Sequence, residues 1–115
     1  MKLQVFEMPR VIEEQRRSGS TWLEFFRVPA LSVGVYSLPA GGEDPQTPHH
    51  EDEIYYVVSG LASIRVEGED RKVGPGSVIF VAAKAKHRFH TITEDLKLLV
   101  VFAPAEDPSK PVLSN

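Results

Sequence analysis

Short apolar runs of strand length, broken at regular intervals by glycine and proline, leave this chain little choice of architecture. Residues 21–27 (TWLEFFR), 31–38 (LSVGVYSL), 54–59 (IYYVVS), 61–66 (LASIRV), 78–82 (VIFVA) and 96–102 (LKLLVVF) concentrate valine, isoleucine, leucine and aromatics, the side chains that suit a pleated, half-buried surface. Turn chemistry falls between them: Gly41 and Gly42 after Pro39, then Gly60, then "EGED" around Gly68, then "GPG" at 74–76. In that last stretch proline and glycine occupy the central positions of a type II turn. Six strands joined by tight turns predict an antiparallel sandwich or barrel. Only residues 9–18 (PRVIEEQRRS) carry helix signals, with Pro9 to open the helix and Gly19 to close it. The stretch 104–115 (PAEDPSKPVLSN) holds three prolines and few apolar groups and reads as a loosely attached tail.

A chain of 115 residues with 42% hydrophobic content makes one domain, residues 1–115, with its barrel core at 21–103. Thirteen basic side chains stand against 16 acidic ones, net −3, and no lysine or arginine run makes a footprint for nucleic acid. Without cysteine, any metal must be held by nitrogen and oxygen. The start "MKLQVFEMPR" lacks the apolar segment of a signal peptide, and no run reaches membrane-spanning length, so the expectation is a soluble cytoplasmic protein with no membrane partner.

Against that background the stretch "PHHEDEIYYVVSG", residues 48–60, is anomalous, because it loads two histidines and three carboxylates onto the entrance of a strand. Charged groups are seldom buried alone, so the cluster is either a solvated acidic turn or a set of ligands aimed into a pocket. The run Gly42–Gly60, "GEDPQTPHHEDEIYYVVSG", resembles the first motif of the cupin family: a glycine, two histidines, a glutamate and, after six intervening residues, a second glycine, here Glu53 and Gly60. The run Gly76–Thr91, "GSVIFVAAKAKHRFHT", resembles the second motif, whose histidine falls on His87. The resemblance spans about residues 30–103. It implies an all-β fold, a single antiparallel jelly-roll-like cupin β-barrel with a short N-terminal helix, and one divalent metal ion in its mouth.

Carried over residue by residue, the resemblance implies His49, Glu53 and His87 as metal ligands. Thr47 stands where the family's other first-motif histidine would be, which leaves Gln46 or the adjacent His50 to complete the set. In the second motif Ala82, Lys84 and Thr91 replace a proline, a glycine and an asparagine. Lysine takes a positive φ less readily than glycine, so the turn at 83–86 is expected to be remodelled.

Two imidazoles and a carboxylate suit iron, manganese, zinc, nickel or copper and leave coordination positions open. The competing reading makes residues 49–53 an exposed turn and His87 a rim histidine. Glu51 and Asp52 read as solvated charges. His90, three residues beyond His87, falls on the opposite strand face as a surface or interface histidine. Tyr55 and Val57 share parity with Glu53, and Phe89 with His87, so all three are expected to line the barrel interior, Tyr55 either as a polar handle or simply as core. Trp22, Phe25 and Phe26 read as a packing or dimer surface, and a homodimer would cover the strand edges. Four residues of straight strand would hold His49 and Glu53 about 13 Å apart, so the chain must bend within 50–52 if they share an ion. Two functions remain open. One is a mononuclear metal-dependent enzyme acting on a small organic molecule, by dioxygenase-like oxidation or as a Lewis-acid isomerase or lyase; the other is a non-catalytic module binding a small ligand or metal.

Overall fold

The computed structural model describes residues 2–114. In chain order the elements are α1 (Met8–Ser18), β1 (Trp22–Val28), β2 (Leu31–Leu38), β3 (Asp52–Val66), β4 (Glu69–Val73), β5 (Val78–Val81) and β6 (His87–Ala103). The strands form one antiparallel sheet in the order β1-β2-β6-β3-β4, with β5 paired to β3. This is the jelly-roll-like arrangement expected from the sequence. No described helix is long and apolar enough to cross a membrane.

α1 begins where Pro9 supplies a preset φ and ends at Gly19, whose φ of 70° lets its N–H reach Arg16 O. Val11 and Gln15 are its buried residues. The Gln15 side-chain N–H group donates to Thr21 O at 2.8 Å and Val35 O at 3.3 Å, while its oxygen accepts from Ser37 Oγ at 2.9 Å. A single satisfied amide thus fastens the helix to β2 and to the residue that leads into β1.

The strand divisions differ from those expected. Runs 54–59 and 61–66 are halves of β3, and 96–102 is the second half of β6, which reaches back to His87. β4, "EDRKV", has no apolar run to announce it. It is an edge strand, mostly exposed, whose charges are what an unpaired edge tolerates. Lys84 also departs from expectation: it adopts φ 67° instead of remodelling the turn, and its N–H donates to His49 O at 2.6 Å.

The sheet must curl, and the register says by how much. Glu53 pairs with Val81 and Val66 pairs with His87, but only residues 82–86 separate Val81 from His87. A straight β3 would put Glu53 and Val66 roughly 43 Å apart, whereas the connection from 81 to 87 can reach about 21 Å at most. β3 therefore folds back on itself, and the register shifts between Val57 and Ser63 are where it does so. Along β3 the buried positions change parity there, from 53, 55 and 57 to 62 and 64; along β6 they change from 87 and 89 to 92, 96, 98, 100 and 102. Gly60 (φ 99°) and Thr91 (φ 50°) occupy the two switch points. The inward side chains form one core built on Tyr55, Val57, Phe89, Leu96 and Leu98, each 0% exposed.

The chain beyond β6 doubles back over β1 and β2. Ala105 N–H donates to Pro29 O at 3.3 Å and Glu106 N–H to Ser32 Oγ at 2.9 Å, while Arg27 Nη2 donates to Glu106 O at 2.6 Å. Residues 105 and 106 of the stretch read as a loose tail are therefore tied to the barrel.

Candidate metal centre

His49 lies in the loop before β3, Glu53 is the second residue of β3, and His87 opens β6. The chain bends at His50 and Glu51 before the strand begins at Asp52, so His49 and Glu53 do not diverge. The bend is held from outside: the Lys84 N–H on His49 O is joined by Ala83 N–H donating to Asp52 Oδ1 at 2.8 Å. One nitrogen or oxygen from each of His49, Glu53 and His87 lies within 4.8 Å of the others.

Glu53 and His87 have side chains only 1% exposed, with Glu53 Oε1 and His87 Nε2 3.3 Å apart. Both Glu53 oxygens and His87 Nε2 are buried without hydrogen-bond partners, although such atoms ordinarily find one. The tautomer explains the tension. His87 Nδ1 is 2.8 Å from Ala85 O; a carbonyl only accepts, so in the neutral ring Nδ1 carries the proton and Nε2 presents its electron pair to a carboxylate. Two electron-rich atoms facing each other in a dry site call for a cation between them. A proton answers in part: burial alone would lower the His87 pKa, but Glu53, the Ala85 carbonyl and Asp44 outweigh it and raise it above 6.5. A divalent metal answers more completely, and the donor set of two imidazoles and a carboxylate fits one.

Over His49 and Glu53 opens a cavity of about 160 Å³ lined by Trp22, Tyr36, Gln46, His49, Glu53, Tyr55, Val100, Phe102 and Glu106. Four of the nine are Trp, Tyr or Phe, so the wall is mainly apolar and aromatic. The Tyr55 hydroxyl donates to Gln46 Oε1 at 3.1 Å. Burial, and then the neighbouring Glu53 charge, push its pKa well above 10, so it stays a protonated phenol. Val57 and Phe89, the other two expected lining residues, lie in the core rather than in this wall, with the Phe89 ring edge-on to Tyr55 at 4.9 Å.

The remaining expected positions separate cleanly. Gln46 faces the cavity with Oε1 3.3 Å from His49 Nε2, whereas His50 turns outward, its Nε2 2.7 Å from Pro111 O. Glu51 is not solvated as expected: it is 3% exposed and accepts the Asp107 N–H at 3.2 Å, because the returning chain covers it. Asp52 is exposed. His90 lies half-exposed at the surface, 2.5 Å from Asp70 Oδ1. Trp22 belongs to the cavity wall rather than to an outer surface, 6.0 Å from the Phe102 ring. Phe25 and Phe26 are met edge-on by Phe6 at 5.1 and 5.7 Å.

Sequence reasoning missed Tyr36, Asp44 and Glu106. Asp44, 2% exposed, accepts from Tyr36 O–H at 2.9 Å, Gln46 N–H at 3.2 Å, the Gln46 side-chain N–H at 2.8 Å and Phe89 N–H at 3.0 Å. It thereby anchors the ligand-bearing loop to β2 and β6 and points Gln46 Oε1 into the cavity. An aspartate before proline in a polar stretch gives no sign of this. Tyr36 alone was legible in principle, since it lies in a strand run.

The sequence profile described as the cupin domain matches residues 34–102. An uncharacterized protein of Streptomyces coelicolor is 44% identical over 104 residues, covering 90% of this chain and 99% of its own. The dimethylsulfoniopropionate lyase DddQ of Ruegeria pomeroyi is 31% identical over 78 residues, covering 67% of this chain but only 39% of the lyase. A crystal structure of that lyase superposes with a TM-score of 0.69 at 24% identity, over 83% of this chain and 52% of that one. A Thermus thermophilus protein superposes with a TM-score of 0.71 at 22% identity, over 90% and 99%; likeness at that identity speaks for the fold alone.

Proposed function

The chain belongs to the cupin domain family, and from that premise we propose that it is a mononuclear metal-dependent enzyme acting on a small organic molecule, with His49, Glu53 and His87 as protein ligands. The observation that carries the reading is the buried set of Glu53 Oε1, Glu53 Oε2 and His87 Nε2, without hydrogen-bond partners, of which Glu53 also lines an open cavity together with His49. A purely structural site would close around its ion, whereas three protein ligands beside a cavity leave room for a substrate atom.

A divalent ion held there supplies Lewis acidity toward an oxygen of the substrate. The chain's own residues do the rest. His49 and His87 offer neutral nitrogens and Glu53 an anion that offsets the cation. Trp22, Tyr36 and Phe102 supply apolar walls to a space of about 160 Å³, which fits a small ligand. The Tyr55 hydroxyl, kept protonated, donates to Gln46 Oε1 and so holds that amide in place at the cavity floor. Of the two enzymatic directions, elimination or isomerisation is favoured over dioxygenase-like oxidation by the 31% identity with a lyase. A second copy of the chain completes the assembly we propose: Ile54, Tyr56, Val78 and Phe80 are 41–66% exposed on directly paired outward positions of β3 and β5, a contiguous apolar face that a homodimer would cover.

The test begins with elemental analysis of protein purified without chelator or metal-affinity steps. Loaded protein is then screened against small organic acids for double-bond formation by ultraviolet absorbance, and for oxygen consumption. Stoichiometric metal with turnover by elimination is expected. Oxygen consumption would assign the oxidative direction, and metal without turnover of any substrate would reduce the chain to a binding module.

A further inference from the structure

The cavity holds a second carboxylate, Glu106, that neither family motif contains. It comes from the chain after β6, is 22% exposed at its side chain, and sits with Oε2 3.3 Å from His49 Nδ1. It lies outside the group formed by His49, Glu53 and His87. Its backbone is held by contacts that do not involve the side chain: its N–H on Ser32 Oγ, and Arg27 Nη2 on its carbonyl. With the backbone so anchored, only the side-chain torsions remain to be ordered for the carboxylate to stand beside His49.

We propose that Glu106 is a positioning residue for the metal centre, setting the tautomer and ring orientation of His49. Gln46 Oε1 at Nε2 and Glu106 Oε2 at Nδ1 both accept only and both lie 3.3 Å away, so they compete for the single proton of neutral imidazole; the full negative charge of Glu106 draws it to Nδ1 and leaves the electron pair on Nε2. Nε2 is the nitrogen on the side of Gln46 Oε1, 3.3 Å away. The Gln46 amide cannot reverse freely to supply a proton there, because its nitrogen donates to Asp44 Oδ2 at 2.8 Å. His49 Nε2 therefore presents an electron pair toward an oxygen, as His87 Nε2 does toward Glu53, and both histidines are turned the same way by an acceptor at Nδ1: the Ala85 carbonyl for His87, Glu106 for His49. The Phe102 ring, edge-on to His49 at 4.7 Å, limits rotation of the imidazole about this axis. The inference rests on the metal-centre reading, but the tautomer exists with or without an ion.

Two measurements on parent, Glu106→Ala and Glu106→Gln test it. The first is the ring 15N spectrum of His49 in metal-free protein, at a pH where the imidazole is neutral; parent and Glu106→Gln, which retains an acceptor oxygen, should show the Nδ1–H form, and Glu106→Ala should shift toward Nε2–H. The second is the zinc dissociation constant by chelator competition, which should rise about 10–100-fold in Glu106→Ala and less in Glu106→Gln, the range typical of losing an outer partner of a metal-bound histidine. Retained thermal unfolding in Glu106→Ala separates this from loss of fold. An unchanged tautomer in Glu106→Ala, or an unchanged zinc constant where the parent binds zinc, overturns the proposal. A parent that binds no divalent metal sinks the proposed function, and the tautomer alone then decides the role of Glu106.

Discussion

Replacing Gly60 with alanine should cost far more stability than the same change at Gly68, and the structure says how much more. Both glycines have positive φ, 99° and 85°, so each substitution carries the backbone penalty of an L-residue there, about 1–2 kcal/mol. At Gly68, in the tight β3–β4 turn, a Cβ would meet nothing within 4 Å. At Gly60 it would lie 2.7 Å from Leu96 Cα and 2.8 Å from the Asp95 carbonyl carbon. These are backbone atoms that cannot swing aside, so β6 must shift at a further cost of about 1–3 kcal/mol. The total for Gly60→Ala is then roughly 2–5 kcal/mol. With about 4 °C of melting temperature per kcal/mol in a domain of this size, the expected drops are roughly 8–20 °C for Gly60→Ala and 4–8 °C for Gly68→Ala. Thermal unfolding followed by circular dichroism in excess chelator, so that bound ion adds no stability by mass action, measures both. Equal losses in the two variants would refute the argument that the fold-back of β3 depends on close approach of the β6 backbone.

Other outcomes follow from the site and the surface. His87→Ala should abolish stoichiometric metal, His49→Ala should retain part of it because Gln46 Oε1 lies 3.3 Å from the lost ring nitrogen, and Glu53→Gln should weaken binding without unfolding; full occupancy in all three by elemental analysis would remove the ligand assignment. The metal-free protein should melt higher as pH falls from about 8 to 6, because the His87 pKa is raised on folding: its contribution is complete below the unfolded value of 6.5 and is lost as pH climbs through the folded one. The additional stability from metal should shrink over the same interval as protons compete for the imidazoles. Paired melts with and without chelator check both trends, and a metal increment that persists into acid would contradict the ligand set. Phe80→Asp should convert the proposed homodimer to a monomer in light scattering. A parent already at 12.8 kDa would dispose of the dimer.

What the sequence determined by itself was whatever local chemistry can encode. Strand-forming runs and the turns between them marked an antiparallel β fold, because period-two burial and turn geometry are properties of a few neighbouring residues. Pro9 and Gly19 bounded the helix for the same reason. The paired motifs pointed to His49, Glu53 and His87, and the length of straight strand required the bend at 50–52. The tertiary structure alone decided what depends on partners distant in sequence. It joined 54–59 to 61–66 and extended β6 to His87, since a strand that folds back at Gly60 reads locally as two. It recruited the charged β4, whose place comes from pairing rather than from apolar pattern. It buried Glu51 under the returning chain, moved Trp22 from outer surface to cavity wall, and gave Asp44 four donors. It also brought Glu106, 57 residues beyond His49 in the chain, to that ring. A carboxylate looks the same in sequence whether it faces water or a ligand; only the closure of the sheet, which sets who stands next to whom, distinguishes them.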